Sequence, residues 1–160
     1  MYFDQLPDAL SASFAGRVKN WGPEQAAVLR MQNEVPAGER MLVYMSTPAL
    51  LDFRRNRIDV IDWPGEASPP PGMPVRAGGE KIAEYLLGQK IRYLAYSYRL
   101  EAGFPPQQYV VYVSPVLGRI ISRQAADSFA FQDALSELMQ TRRRIYDDGS
   151  NVLLDLSQGK

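Results

Sequence analysis

Residues 40–74, RMLVYMSTPALLDFRRNRIDVIDWPGEASPPPGMP, leave the chain few ways to fold. The run MLVYM at 41–45 is apolar without interruption, as in a strand covered on both faces, so it is expected at the centre of a sheet. Ser46-Thr47 then turns the chain. Pro48 takes the first position of a short helix, where a missing N–H costs nothing, and the Thr47 hydroxyl is its expected cap. Leu50, Leu51 and Phe53 supply the buried side of that helix. A second strand over 58–62 reads as an edge or near-edge strand, and Trp63-Pro64-Gly65 leads from it into a loop with five prolines between 64 and 74. Strand, helix and strand in this order make a parallel βαβ unit.

The flanking sequence extends this unit on both sides. Pro23 opens a first helix that ends near Pro36, with Ala26, Ala27, Leu29, Met31 and Val35 filling one side. Residues 1–22 carry scattered aromatics without a period and read as a lead-in, either tucked against the domain or forming an aromatic docking surface. The proline-rich loop cannot donate into a sheet and favours polyproline II, so it is expected on the surface as a stiff strap. It either bridges the second strand to the next helix or recognises a partner's groove. Gly78-Gly79-Glu80 leads into a helix over 81–90, with Ile82, Ala83, Tyr85, Leu86 and Leu87 along its stripe, and IRYLAYSY at 91–98 is a third strand. The right-handed crossover rule places the first strand between the other two, in the local order two, one, three.

Residues 99–124 stay ambiguous, because QYVVYV has strand propensity but lies between prolines and also fits a helical insertion. A long amphipathic helix over 125–144 follows, with Phe131, Leu135, Leu138 and Met139 at three- and four-residue spacings. Asp147-Asp148-Gly149-Ser150 between RIY and NVLLDL signals a hairpin, since Asp-Gly supplies the positive φ that a tight turn requires. The expected fold is α/β, a Rossmann-like three-layer sandwich with a mixed sheet of about five strands, a parallel core plus a C-terminal antiparallel hairpin. It forms a single domain, with a lead-in and first helix over 1–38 and the Rossmann-like part over 39–160.

Composition removes many chemistries. With neither cysteine nor histidine, the chain has no disulfide, no thiolate nucleophile, no Cys or His metal ligand and no Ser-His dyad. Lys+Arg and Asp+Glu both number 18, so no overall field steers nucleic acid or an anionic membrane toward it. The 46% apolar and 22% charged residues place it among water-soluble globular domains. Its longest mostly apolar run, 109–118, is about half the ~20 residues a membrane-spanning helix needs. The first residues lack the basic and apolar regions of a secretory signal. No metal and no cofactor is expected, since no Walker or GxGxxG pattern occurs and Gly78-Gly79 has no strand directly before it.

Carboxylates remain as acid-base groups: Asp52, Asp59, Asp62, Glu66 and the pair Asp147-Asp148, the last reading as turn formers. Arg54, Arg55 and Arg57 read either as an anion site or as a solvated helix C-terminus that complements the dipole. In open α/β sheets, ligands bind at the carboxyl edge where strand order reverses. That edge is expected to carry Ser46 and Thr47 after strand one, Asp62 and Trp63 after strand two, and Ser97, Tyr98 and Arg99 after strand three. An aromatic ring, hydroxyls, a carboxylate and a guanidinium suit a sugar or another polar small molecule. They contain no activated nucleophile or base-orienter pair, so no catalytic residue is assigned. The same residues also read as simple caps of strands and helices.

The phrases LLDFRRNRIDVIDWPGEASPPPGMP, GQKIRYLAYSY and RRRIYDDGSNVLLDL, within 39–156, together resemble the extracytoplasmic C-terminal domain of polytopic bacterial membrane proteins related to GT-C-type glycosyltransferases. In such proteins an α/β domain follows the last membrane span, and the catalytic carboxylate lies in a loop of the membrane part. The resemblance therefore implies a non-catalytic accessory domain on the periplasmic or extracellular face. Its implied partners are the membrane-embedded portion of a parent protein or a glycan or lipid-linked sugar. The alternative is a freestanding protein-interaction module that docks through the strap at 64–74 and Trp63.

Overall fold

A computed structural model describes residues 22–61, 63–65, 68–98 and 115–159, and for 115–122 and 125 the backbone alone. The lead-in at 1–21 and the QYVVYV segment lie outside the described residues. The elements are helix α1 (Gly22–Asn33), strand β1 (Arg40–Tyr44), a 3₁₀ turn (Pro48–Leu50), β2 (Arg57–Val60), α2 (Gly79–Gly88), β3 (Tyr93–Ser97), α3 (Pro115–Thr141), β4 (Arg142–Asp147) and β5 (Asn151–Gly159). The strands form one sheet in the order β2-β1-β3-β5-β4. β1 pairs in parallel with β2 and β3, β5 runs antiparallel to β3, and β4 runs antiparallel to β5. The α/β fold with a five-stranded mixed sheet is as expected, and so is the local order two, one, three. The centre of the whole sheet is β3, not β1, because the hairpin adds two strands on the far side of β3.

The unbroken apolar run in β1 has a direct explanation. Met41, Val43 and Met45 pack in one cluster with Val28, Met31 and Val35, while Leu42 and Tyr44 pack in a second with Ile82 and Leu86 of α2 and Phe131, Leu135 and Leu138 of α3. Successive side chains of a strand point to opposite faces, so a strand covered on both must be apolar throughout. On α1 the buried residues are Val28, Met31 and Gln32, with Val35 just beyond the helix, whereas Ala26 is exposed and Leu29 half-buried. This corrects the expected face: the spacing i, i+3, i+4, i+7 runs through a glutamine, which hydrophobicity alone passes over.

The β1–β2 connection also differs from expectation. Where a short helix is predicted there is a single 3₁₀ turn, and no side chain caps it. The Thr47 hydroxyl instead donates to Glu24 Oε1 of α1 at 3.4 Å. Leu51 is buried, but Phe53 is 52% exposed. The backbone groups that a helix would satisfy are met by Gln32, which is 0% exposed. Its Nε2 donates to the Asp52 carbonyl at 2.8 Å and to Asn56 Oδ1 at 3.1 Å, and its Oε1 accepts from the Asp52 N–H at 2.8 Å. Asn56 Nδ2 donates in turn to the carbonyls of Pro36 at 2.8 Å and Glu39 at 3.2 Å. These side-chain amides satisfy buried loop peptides that have no helical partner. Arg55 Nη2 donates to the carbonyls of Val35 (2.8 Å) and Asn33 (3.3 Å), so this one arginine of the basic run complements the end of α1 rather than of a helix of its own.

α2 begins at Gly79 because it must approach α3 closely: a Cβ there would lie 2.8 Å from the Ala134 carbonyl oxygen. Phe131, Ala134, Leu135 and Leu138 of α3 are buried, and the Phe131 ring meets Tyr44 edge-on at 5.2 Å. Truncating Phe131 to alanine costs about 3–5 kcal/mol. α3 starts at Pro115 rather than 125 and ends at Thr141, so part of the ambiguous stretch is helical and 142–144 belong to β4. In the hairpin turn, Gly149 has φ +77°. Asp147 Oδ1 accepts from the Gly149 N–H at 3.1 Å, and Asp148 Oδ1 accepts from Ser150 at 2.9 Å and Asn151 at 2.7 Å. Both aspartates are turn formers.

Candidate functional site

The carboxyl ends of β1, β2 and β3 lie along one edge of the sheet because the three strands are parallel. Their side chains are taken up by different elements. Ser46 is exposed in the bend after β1, and Thr47 reaches to α1. Ser97 donates to Asn151 Oδ1 at 2.7 Å. The Tyr98 hydroxyl donates to Asp147 Oδ2 at 2.7 Å, where Arg144 Nη1 also donates at 3.1 Å. The Tyr98 bond, with help from the Gly149 N–H and Arg144, holds the Asp147 carboxyl below the usual range, although burial opposes it. Burial first, then the adjacent carboxylate, pushes the Tyr98 hydroxyl up. This chain of contacts ties the end of β3 to the hairpin. Asp62 and Arg99 lie outside the described residues.

The glycine pair before α2 is likewise committed. A free helix N-terminus attracts anions, but here the Glu137 carboxylate of α3 accepts from the Gly79 N–H at 2.6 Å. The chain supplies its own anion at that position.

Trp63 belongs to a different feature. A cavity of about 490 Å³ opens beside β2, walled by the edge strand, the strap and α2. Trp63, Met73, Tyr85 and Leu86 give it apolar and aromatic walls, and Arg40, Asp59 and Gln89 give it polar ones. Trp63 is 46% exposed. The strap is fastened over the cavity from α2: the Tyr85 hydroxyl donates to the Pro69 carbonyl at 2.7 Å, and Gln89 Nε2 donates to the Pro70 carbonyl at 3.2 Å. Tyr85 and Gln89 are one helical turn apart, which is why both reach it. Arg40 clasps Asp59 with two bonds, Nε to Oδ2 at 2.6 Å and Nη2 to Oδ1 at 3.1 Å, and donates Nη1 to the Gln89 carbonyl at 2.9 Å. The Asp59 bond holds the Arg40 guanidinium above its ordinary value. Both oxygens of this carboxylate are engaged by one guanidinium, a fixed bidentate geometry that suits recognition.

No family model, curated protein or solved structure matches this chain. Among the described residues, no helix is long and apolar enough to cross a membrane, and no three acidic side chains converge as a metal site requires. Of the cavity's walls, Asp59 and Trp63 stand out in the sequence, whereas Arg40, Tyr85 and Gln89 do not. The readable signal was Gln89, set i, i+4 from Tyr85 of the α2 stripe and downstream of the prolines.

Proposed function

We propose that this chain is a non-catalytic accessory domain, of Rossmann-like three-layer architecture, in a membrane glycosyltransferase-like protein. It faces away from the cytoplasm and helps to bind an acceptor or partner. The observation that carries the binding role is the strap-covered cavity beside β2. Its aromatic walls, Trp63 and Tyr85, suit the apolar faces of a sugar ring or a partner side chain, and its carboxylate Asp59 is engaged by Arg40. Support for the membrane parent is the resemblance carried by 39–156. Two measurements test this reading. Titrated with soluble oligosaccharides, the isotope-labelled chain should show resonance shifts at the Trp63 indole and Tyr85 and no turnover of nucleotide-linked or lipid-linked sugar donors; turnover would overturn it. In its native cell the sequence should fractionate with membranes as part of a longer polypeptide. A polypeptide of this length alone in the soluble fraction would remove the membrane parent.

A second reading, a freestanding interaction module, is favoured by the fastening of the strap to α2 through Tyr85 and Gln89, which presents a preformed surface around Trp63. Partner binding that survives both Trp63→Ala and deletion of 68–73 would exclude it.

A further inference from the structure

The open edge of the sheet beside this cavity carries a more specific inference. β1 and β2 pair over four consecutive positions, Arg40↔Arg57 to Val43↔Val60, without a register shift. The Arg57 N–H donates to Glu39 and the Ile61 N–H to Val43, so Arg57, Asp59 and Ile61 turn their peptide groups toward β1. In a parallel ladder the alternate residues face the other way. The N–H and C=O groups of Ile58 and Val60 are therefore directed outward, along a strand whose residues Ile58 to Ile61 also line the cavity.

Among the described residues, the charge at this edge is predominantly positive. Arg40 and Arg57 are direct neighbours in register, and the nearby carboxylate of Asp59 is taken by Arg40. Arg57 is exposed and has no side-chain partner among the described residues. Outward-directed peptide groups with no partner among the described residues, a cavity alongside the strand, and an exposed guanidinium with no side-chain partner among those residues are together what strand addition by a peptide can use.

We infer that the outer edge of β2 docks an extended, acidic-apolar peptide segment of a partner protein. The segment joins the sheet as a sixth strand, places an apolar side chain in the cavity near Trp63 and sets a carboxylate against Arg57. This rests on the reading of the strap as a contact surface and does not depend on the membrane parent.

The test uses a display library of random octapeptides selected on the whole chain, with Val60→Pro, Arg57→Glu and Trp63→Ala variants for comparison. Val60→Pro removes an outward N–H while leaving the donors to β1 in place, a position where edge strands accept proline. Enriched peptides should alternate apolar and polar residues and carry Asp or Glu. An enriched peptide should bind at least tenfold more weakly to Val60→Pro and to Arg57→Glu, and N-methylation of its alternate amides should weaken it as much. No enrichment overturns the proposal. So does binding that falls with Trp63→Ala but stays within twofold for Val60→Pro and for the N-methylated peptide, a result that leaves the strap as a contact surface without strand addition. If Val60→Pro fails to fold, the N-methylated peptide on the unmodified chain decides.

Discussion

β4 closes the sheet with Arg142, Arg143 and Arg144 in a row and with two register shifts against β5, whereas β2 ends it with four regular pairs and a cavity alongside. Charges and bulges are the devices that keep an edge strand from pairing with another chain. Of the β4 arginines, Arg143 reaches Gln158 at 2.8 Å, Arg144 reaches Asp147, and Arg142 pairs with Glu80. The ion pairs behind the two edges differ in the same sense. On the β5 side, Arg92, its side chain 42% exposed, holds at 2.9 and 2.6 Å a carboxylate, Asp155, that is only 3% exposed. On the β2 side, both members of the Arg40–Asp59 pair are partly open to water, with side chains 32% and 39% exposed. Among the described residues, one margin of this sheet is charged, bulged and tied to a buried carboxylate, and the other is regular and more lightly held.

Four perturbations break or sharpen this contrast. Gln32→Leu is the largest: it strands buried peptide groups of the loop that feeds β2, and about 3 kcal/mol should be lost in urea unfolding. Amide exchange should rise at 57–60 before 151–156, and a uniform rise would show that the two margins share one anchor.

Asp155→Ala comes next, at about 2 kcal/mol, because it leaves the Arg92 guanidinium without its buried partner. The same pair sets an acid dependence. Arg92, with added bonds from Ser157 and against the opposing effect of burial, holds the Asp155 carboxyl at about 2. The unfolded chain, with an aspartate pKa of about 4, takes up the proton first as pH falls. The stabilisation is therefore complete above about pH 4 and lost as the pH drops toward 2, by roughly 2 kcal/mol, and this step should be missing in Asp155→Ala. An unchanged acid profile would remove Asp155 as the anchor.

Asp59→Ala should cost less than about 1 kcal/mol in thermal unfolding, since its pair with Arg40 is solvent-exposed. A loss equal to that of Asp155→Ala would erase the contrast. Smallest in stability is the double change Arg143→Thr and Arg144→Thr, which should alter unfolding by less than about 0.5 kcal/mol. It should nevertheless produce concentration-dependent self-association in sedimentation, because the β4 edge loses two of its three arginines. A strictly monomeric double variant would show that the bulges alone guard that edge.

Much of the fold was legible because its signals are local. The apolar run of β1, the strand signal at 91–98 and the Asp-Gly turn each lie within a few residues, and β1, β3 (Tyr93–Ser97, within that stretch) and the hairpin stand where those signals put them. The misses came where distant partners decide. Gln32 carries no signal in the sequence, because its role depends on Asp52 and Asn56 folding against it, and Thr47 reads as a cap until Glu24 of α1 is brought beside it. The site was legible in part for the same reason. Trp63 and Asp59 stand out by residue type, but Arg40, Tyr85 and Gln89 join them only through pairing of β1 with β2 and the laying of the strap across α2.

By itself, the sequence determined the strand segments, the hairpin and the exclusion of histidine and cysteine chemistry, because these depend on composition and on neighbours along the chain. Only the tertiary structure decided that Glu137 closes the N-terminus of α2, that β3 lies at the centre, and that the edge strand beside a cavity is β2 rather than β4. Those outcomes depend on contacts between residues far apart in the chain, whose geometry no local pattern encodes.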